Sequence, residues 1–355
     1  MAGRAAVGLD IGASSVRAAE LSFGKGPATL ERFGQVALPP GAVRDGEIVD
    51  NDAVANAVRQ LWSQAKFSSK KVALGVANQR VIVRQVDLPW LPLPELRTSL
   101  AFQVQDFVPM PVEQAILDVH PLEEFAGDGG ARMLRVLLVA AARDMVTSMI
   151  DTVGRAGLSV SMVDLTPFAL LRAVSRHDQL GISGTTEALI EVGASVTNIV
   201  VHQGGVPRFV RILLMGGGDL TDAVAERMGV PQEQAESVKQ QLGIAPQPGT
   251  PVGEHPAARV LENSGSTFVD EVRGSLDYYL AAQQAAPIGR IVLSGGGSQL
   301  AGLAQRLSTA TRLPVELGNP LSSLRMGKTG LSPEQLSFVA PLAAVPVGLA
   351  MGVAA

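Results

Sequence analysis

The feature that constrains this chain most is a short pattern that occurs twice. Residues 9–21 read LDIGASSVRAAEL and residues 188–202 read ALIEVGASVTNIVVH, so laying Glu191 on Asp10 puts Gly193 on Gly12, Ala194 on Ala13 and Ser195 on Ser14. In each copy an apolar strand carrying one carboxylate runs into a turn of small residues, and a second apolar strand follows. That pattern describes a hairpin whose backbone N–H groups converge on a concavity suited to an anion, with side chains small enough to admit an oxygen. A carboxylate just before such a turn can hold Mg²⁺ through water. One copy alone is more often only an ordinary turn. Two copies suggest related lobes gripping one polyphosphate.

A third stretch completes the set. Residues 290–303 read RIVLSGGGSQLAGL, an apolar strand Ile291–Leu293, a glycine run at Gly295, Gly296 and Gly297, then Leu300, Leu303 and Leu307 at helical spacing. A glycine turn between strand and helix lets a ring or phosphate lie against bare backbone. The order DIGASS, EVGASVTN, LSGGGSQLAGL resembles the phosphate-1, phosphate-2 and adenosine motifs of the actin-like ATPase superfamily, which includes sugar kinases, Hsp70 and actin.

The resemblance implies an α/β actin-like ATPase fold, two ribonuclease-H-like lobes around a nucleotide cleft, with ATP and Mg²⁺ as cofactors. It implies that Asp10 and Glu191 organise Mg²⁺ through water and serve catalysis. It places Gly12, Ala13, Ser14, Ser15 and Arg17, with Gly193, Ala194, Ser195 and Thr197, around the phosphates. The strand, glycine turn and helix of RILLMGGGDLTDAVAERMGV (211–230) echo the adenosine motif, and in related proteins the equivalent of Gly216 and Gly217 passes near the terminal phosphate. The base is expected beside Gly295, Gly296, Gly297 and Ser298. Glu236 and Lys239, three apart on one helix face, either approach ribose and adenine or form an ordinary ion pair. Asp164, at the end of a strand, either faces the γ-phosphate or supports the cap of the next helix. Superfamily members usually carry Asp in phosphate-2, so Glu191 is a departure, and slow or absent hydrolysis is expected.

Composition excludes several other classes. Charged residues are 17% of the chain and hydrophobic ones 46%, so much of it is buried or docked. Acidic residues number 33 and basic ones 29, net −4, with no basic run, which argues against a nucleic-acid partner. There is no cysteine, and four scattered histidines make no metal site. The N-terminus enters a strand without the apolar core of a signal peptide, so the cytoplasm is expected. Phe338–Ala355 carries no charge, yet Pro341 and Pro346 interrupt it and Ala, Gly and Val dominate. A small-residue helix packed between two sheets is expected there, not a membrane span.

Along the chain, lobe 1A is expected over residues 1–86, with 160–180 and 335–355 returning to it. Strands at 71–77 and 80–87 complete its ββαβ order, after a helix at 51–66 capped by Asn51 or Asp52. A Gly/Ser/Thr loop at 181–186 leads into lobe 2A, 181–218 and 287–334, and a mobile loop at 244–257 interrupts subdomain 2B, 219–286. Residues 87–159 read as an α+β insert whose last helix covers 144–156. A connection then follows, with Thr166 as N-cap of a helix that has Pro167 at its first position. The insert resembles the 1C subdomain that separates FtsA and the type IV pilus PilM family from actin, and the FVPMPVEQ run is more PilM-like. The chain stops at GLAMGVAA, just after its last core element, as PilM-family chains do, where FtsA would add a basic amphipathic helix. What this implies is a cytoplasmic ATP-binding component of the type IV pilus inner-membrane assembly complex. Its 1A/1C groove would receive the N-terminal peptide of a PilN-type membrane protein, and the membrane would be reached only through that partner. Other pilus assembly proteins, and self-association, are further partners the resemblance leaves open. An FtsA-like cytoskeletal ATPase, or a metabolic kinase or hydrolase of the superfamily, are the alternatives.

Overall fold

The computed structural model describes residues 4–175, 185–244, 255–282 and 285–354. The loops expected at 181–186 and 244–257 lie largely outside these residues. Strands β1 (Arg4–Ile11), β2 (Ser15–Phe23) and β3 (Thr29–Ala37) form an antiparallel meander. A small hairpin, β4 (Val43–Arg44) and β5 (Glu47–Ile48), leads to helix α1 (Asn51–Ala65). The cap of α1 is Asp50, not Asn51 or Asp52: its carboxylate accepts from the backbone N–H of Asp52 at 3.1 Å and Ala53 at 2.9 Å. Val54, Val58 and Leu61 recur at helical spacing on its buried face. β6 (Lys71–Val76) then returns parallel to β1.

The strand expected at 80–87 forms, but it does not join this lobe. β7 (Val81–Pro89) pairs with β9 (Arg132–Ala142), which also pairs with β8 (Ala115–Ala126), making a separate three-stranded sheet. Its even-numbered β9 residues Leu134, Val136 and Leu138 bury against Leu96, Leu100 and Val104 of α2 (Leu93–Val104). The reverse correction applies to α3 (Arg143–Arg155). It was expected in the insert, but its Met145, Val146, Met149 and Val153 join the core of the first lobe beside Val58 and Leu61. β10 (Ser159–Leu165) then pairs parallel with β6, completing a sheet of order β10-β6-β1-β2-β3-β16 whose last strand comes from the C-terminal region. Leu165, not Thr166, stands at the N-cap of the next helix, α4 (Thr166–Val174), with no side-chain capping bond.

The second lobe is built on β11 (Thr186–Val192), β12 (Thr197–Gln203) and β13 (Val206–Leu213), followed by α5 (Gly217–Met228), α6 (Gln232–Leu242) and α7 (Pro256–Leu280). β14 (Ile288–Ser294) lies parallel to β11, and a 3₁₀ turn, Gly296–Gln299, leads to α8 (Leu303–Thr311) and β15 (Val315–Leu317). Helices expected as a separate subdomain share one core with this sheet: Leu220, Ala235, Phe268 and Val272 cluster with Ile190, Ile199 and Ile291.

After β16 (Arg325–Met326) and α9 (Pro333–Val339), α10 (Ala344–Gly352) packs on β1, β2 and β6 and along α4, while α4 also meets β11, β12 and β13. These two helices sit between the sheets and join both lobes in one apolar cluster. Backbones approach so closely there that a β-carbon at Gly8 would stand 2.0 Å from the Pro346 carbonyl oxygen, and one at Gly348 would stand 1.8 Å from that of Ala169. Only glycine permits that approach. No single described helix is long and apolar enough to cross a membrane; α9 with Pro341–Gly352 passes only as a pair bent by 55°, and Ala344–Ala350 are buried.

Candidate functional site

The two repeated turns face each other across a cleft of about 60 Å³, lined by Asp10, Gly12, Ala13, Ser14 and Arg17 from one lobe and Glu191, Gly193, Ala194, Ser195 and Asn198 from the other. Each turn closes by the same bond, Gly12 N–H to the Ser15 carbonyl at 3.0 Å and Gly193 N–H to the Val196 carbonyl at 2.9 Å. Among the described residues, the N–H groups of Ala13, Ser14, Ala194 and Ser195 have no acceptor. Two small nests of unspent donors thus converge from opposite sides, which suits an anion.

The carboxylates sit at equivalent register positions. Asp10 is paired across the ladder with Arg17, whose guanidinium lies 3.6 Å from it and also donates to Gln35 at 3.1 Å. Glu191 is paired across its ladder with Asn198, which donates to it at 2.8 Å. Burial pushes the Asp10 carboxyl up, with Arg17 opposing. Burial, with the like charge of Asp10, pushes Glu191 up to about 7. The side-chain Oδ1 of Asn198, a residue 2% exposed, has no partner among the described residues. Two acids that resist ionisation together, beside unspent amides, fit a divalent cation carrying phosphate oxygens. No group of three or more His, Cys, Asp or Glu among the described residues could hold a metal, so an ion here would take at most these two carboxylates. That sparse protein shell suits Mg²⁺, which keeps most of its ligands as water and phosphate.

The other expected residues are placed differently. Gly217 and Gly218 N–H groups donate to the Gly193 and Ala194 carbonyls at 2.9 and 2.7 Å, docking α5 on the second turn. A β-carbon at Gly216 would stand 2.4 Å from the Gly193 oxygen, so this glycine serves backbone packing. Thr197 donates to the Met215 carbonyl at 2.8 Å, and Ser298 to that of Gly295 at 2.7 Å. Ser15 is buried in β2, its hydroxyl without a partner among the described residues. Lys239 is 7% exposed, its ammonium spent on the Gly217 carbonyl and Thr221 hydroxyl, both at 2.8 Å, and on Glu236 at 2.7 Å. Burial alone would raise the Glu236 carboxyl, but its bonds to Lys239 and Thr221 prevail and hold it low. This pair therefore clamps α6 to α5. Gly295 and Gly297 press on Val192, their β-carbon positions 2.5 Å from its carbonyl oxygen and 2.4 Å from its Cγ1, whereas Gly296 has 3.4 Å to Leu342. Between these segments the cavity is about 10 Å³. Asp164 does not line the cleft: it pairs with Arg172 of α4 and accepts from Leu165 N–H at 2.8 Å. Arg172 reaches on to the Gly348 carbonyl at 2.9 Å, so Asp164 ties together the helices at the lobe junction.

Asn198 and Thr166 also line the cleft, although the sequence marks Asn198 only as part of the second motif and Thr166 only as a helix cap. For Asn198 the signal was present, since it occupies in the second copy the place of Arg17 in the first.

The family model for the type IV pilus assembly protein PilM matches residues 8–353. The cell division protein FtsA of Bacillus subtilis is 27% identical over 266 residues, 67% of this chain and 58% of that relative. FtsA of Neisseria meningitidis serogroup B is 24% identical over 353 residues, 88% of this chain and 83% of that relative. Among solved structures, a PilM–PilN type IV pilus biogenesis complex superposes with a TM-score of 0.85 at 28% identity, covering 98% of each chain. MreB5 of Spiroplasma citri bound to ADP superposes at 0.56 with 13% identity, covering 97% of this chain and 94% of that one, which shows the shared actin-like fold. Cleft, repeated hairpins, inserted sheet and family match agree: the chain belongs to the PilM family of type IV pilus assembly proteins.

Proposed function

We propose that this chain binds Mg·ATP between its two lobes, hydrolyses it slowly or not at all, and uses the bound nucleotide to set its affinity for a PilN-type inner-membrane protein. The observation that carries this reading is the pairing of two unspent amide nests with two buried carboxylates at the lobe junction, in a chain that matches PilM of a PilM–PilN complex from end to end. When bound, the metal would neutralise phosphate charge; Asp10 and Glu191 would hold it, and Ala13, Ser14, Ala194 and Ser195 would bind phosphate oxygens. A cleft of about 60 Å³ has room for a few waters, far below the several hundred Å³ of a nucleotide pocket, so admission requires the lobes to part. Parting must also loosen the packed seam at Gly295, Gly297 and Lys239 for the base to enter. That couples occupancy to lobe geometry.

Slow chemistry follows from Glu191. Its extra methylene moves the carboxylate by about 1 Å relative to an aspartate, an error that costs on the order of 100-fold in rate, whereas binding tolerates it. The protein would act on the cytoplasmic side, held at the membrane by the N-terminal tail of its partner in the groove between first lobe and insert. Extended peptides dock in such grooves through backbone hydrogen bonds and apolar pockets. Two measurements test the reading. Phosphate release should stay far below about 1 s⁻¹, and turnover at that rate or faster ends the slow-switch reading. A photo-crosslinkable PilN-type tail should label residues of the insert and first lobe; labelling confined to the second lobe would move the groove. Deleting 88–158 is unsuitable as a control, because it takes α3 out of the first-lobe core.

A further inference from the structure

Away from the cleft, a groove of about 430 Å³ runs between the inserted sheet and the second lobe. Three consecutive residues of β7, Val83, Arg84 and Gln85, line it, as do three of β13, Arg208, Phe209 and Val210. Successive strand side chains point to opposite faces, so three in a row reach one groove only where it runs along the strand's edge. Both strands are outermost in their sheets, β7 bonded only to β9 and β13 only to β12, but they close on each other where Val83 and Val210 share one apolar cluster, which leaves no width there for a further strand between them.

The lining is basic in a chain that is acidic overall, with Arg84, Arg135 and Arg208 against Glu123. Arg135 is spent on Asp87 and Glu123, at 2.8 and 2.7 Å. Arg84 gives one N–H to the Phe107 carbonyl at 3.0 Å. Arg208 has no hydrogen bond or ion pair among the described residues and lies near the Tyr279 hydroxyl. Beside it Phe209 lies between Tyr278 and Tyr279, ring centroids 6.0 and 5.9 Å away, and Tyr278 is 67% exposed.

We propose that this groove is a second docking site, which takes an extended acidic segment of a partner protein. Its carboxylates would meet Arg208 and Arg84 as charge-assisted pairs, and its apolar side chains would lie on the Phe209 and Tyr278 rings. One wall belongs to the insert and the other to the second lobe, so this site is distinct from the tail groove between insert and first lobe, and stands whether or not that groove does.

The test uses the full chain and a fluorescein-labelled eight-residue peptide alternating glutamate and valine with one central tyrosine, followed by anisotropy. Saturable binding in the micromolar range is expected, about tenfold weaker for Arg208→Glu. Arg208→Gln and Arg84→Glu provide the same readout should Arg208→Glu fail to fold, as judged by its melting midpoint. Absence of saturation at millimolar peptide, equal affinity for a lysine-for-glutamate peptide, or unchanged affinity in the folded arginine variants overturns the proposal. So does peptide displacement by phosphatidylglycerol vesicles, which would assign the groove to a lipid surface, or arginine-dependent self-association, which would assign it to a second copy.

Discussion

In the first hairpin, Asp10 faces Arg17 across the ladder and the two side chains pair at 3.6 Å; in the second, the same register position holds Asn198, which offers Glu191 one N–H at 2.8 Å and no charge. Both carboxyls are desolvated, but only Asp10 has a cation on its own ladder, and Glu191 is driven to about 7 by burial and by Asp10 itself. The turns differ in tightness too. A β-carbon at Gly12 would meet nothing closer than the Ser15 oxygen at 3.4 Å, while one at Gly193 would stand 2.6 Å from the Val196 oxygen. Helix α5 docks on the second turn through the Gly217 and Gly218 amides. The same local pattern thus sets the same backbone twice, and the residue opposite the carboxylate decides its charge.

The strongest way to break this contrast is through pH. With its carboxyl raised from an ordinary 4.5 to about 7, Glu191 holds its proton in the folded state where the unfolded chain has released it. In metal-free protein its contribution to stability is therefore fully present below about pH 4.5 and is lost as pH rises toward 7, by up to about 3 kcal/mol. Asp10, also raised, adds in the same sense. Glu191→Gln should remove most of that slope and melt above the wild type at pH 8; coincident melting curves across the range would show that Glu191 ionises freely. For the same reason Mg²⁺ should bind more tightly at pH 8 than at pH 6, with proton release detectable by calorimetry in buffers of different ionisation enthalpy.

The packing difference predicts the next largest effect. Gly193→Ala forces a β-carbon onto a backbone oxygen and should cost about 1–3 kcal/mol, while Gly12→Ala should change the denaturation midpoint little. Equal losses would mean that the turns are equally tight. Removing the cation sharpens the comparison further: Arg17→Gln should cost about 1 kcal/mol of stability and raise divalent-cation affinity several-fold, because two carboxylates then lack a counter-charge. Weaker Mg²⁺ binding by this variant would place Arg17 among groups that assist the cation. The smallest effect is expected from Asp164→Asn. With Asp164 turned to Arg172, nucleotide affinity should change by less than about twofold, and a larger loss would restore it to the cleft.

Much of the site's backbone was legible because it is local. A carboxylate, a glycine and two small residues between apolar strands specify a hairpin whatever surrounds it, and the charge-free C-terminal stretch with its two prolines reads as a packed helix for the same reason. Three features were decided by residues distant in sequence. Strand 81–89 has the letters of any strand; only the presence of β9 gave it a partner outside the first lobe. Helix α3 presents an apolar face that fits either neighbour, and the first-lobe core, with Val58 and Leu61, took it. Lys239 looks like one half of an exposed ion pair until Gly217 and Thr221 close around it. The repeat by itself determined that two turns would form and that each would carry a carboxylate. Whether that carboxylate is charged depends on burial and on what stands across the ladder, which only the folded chain brings within reach.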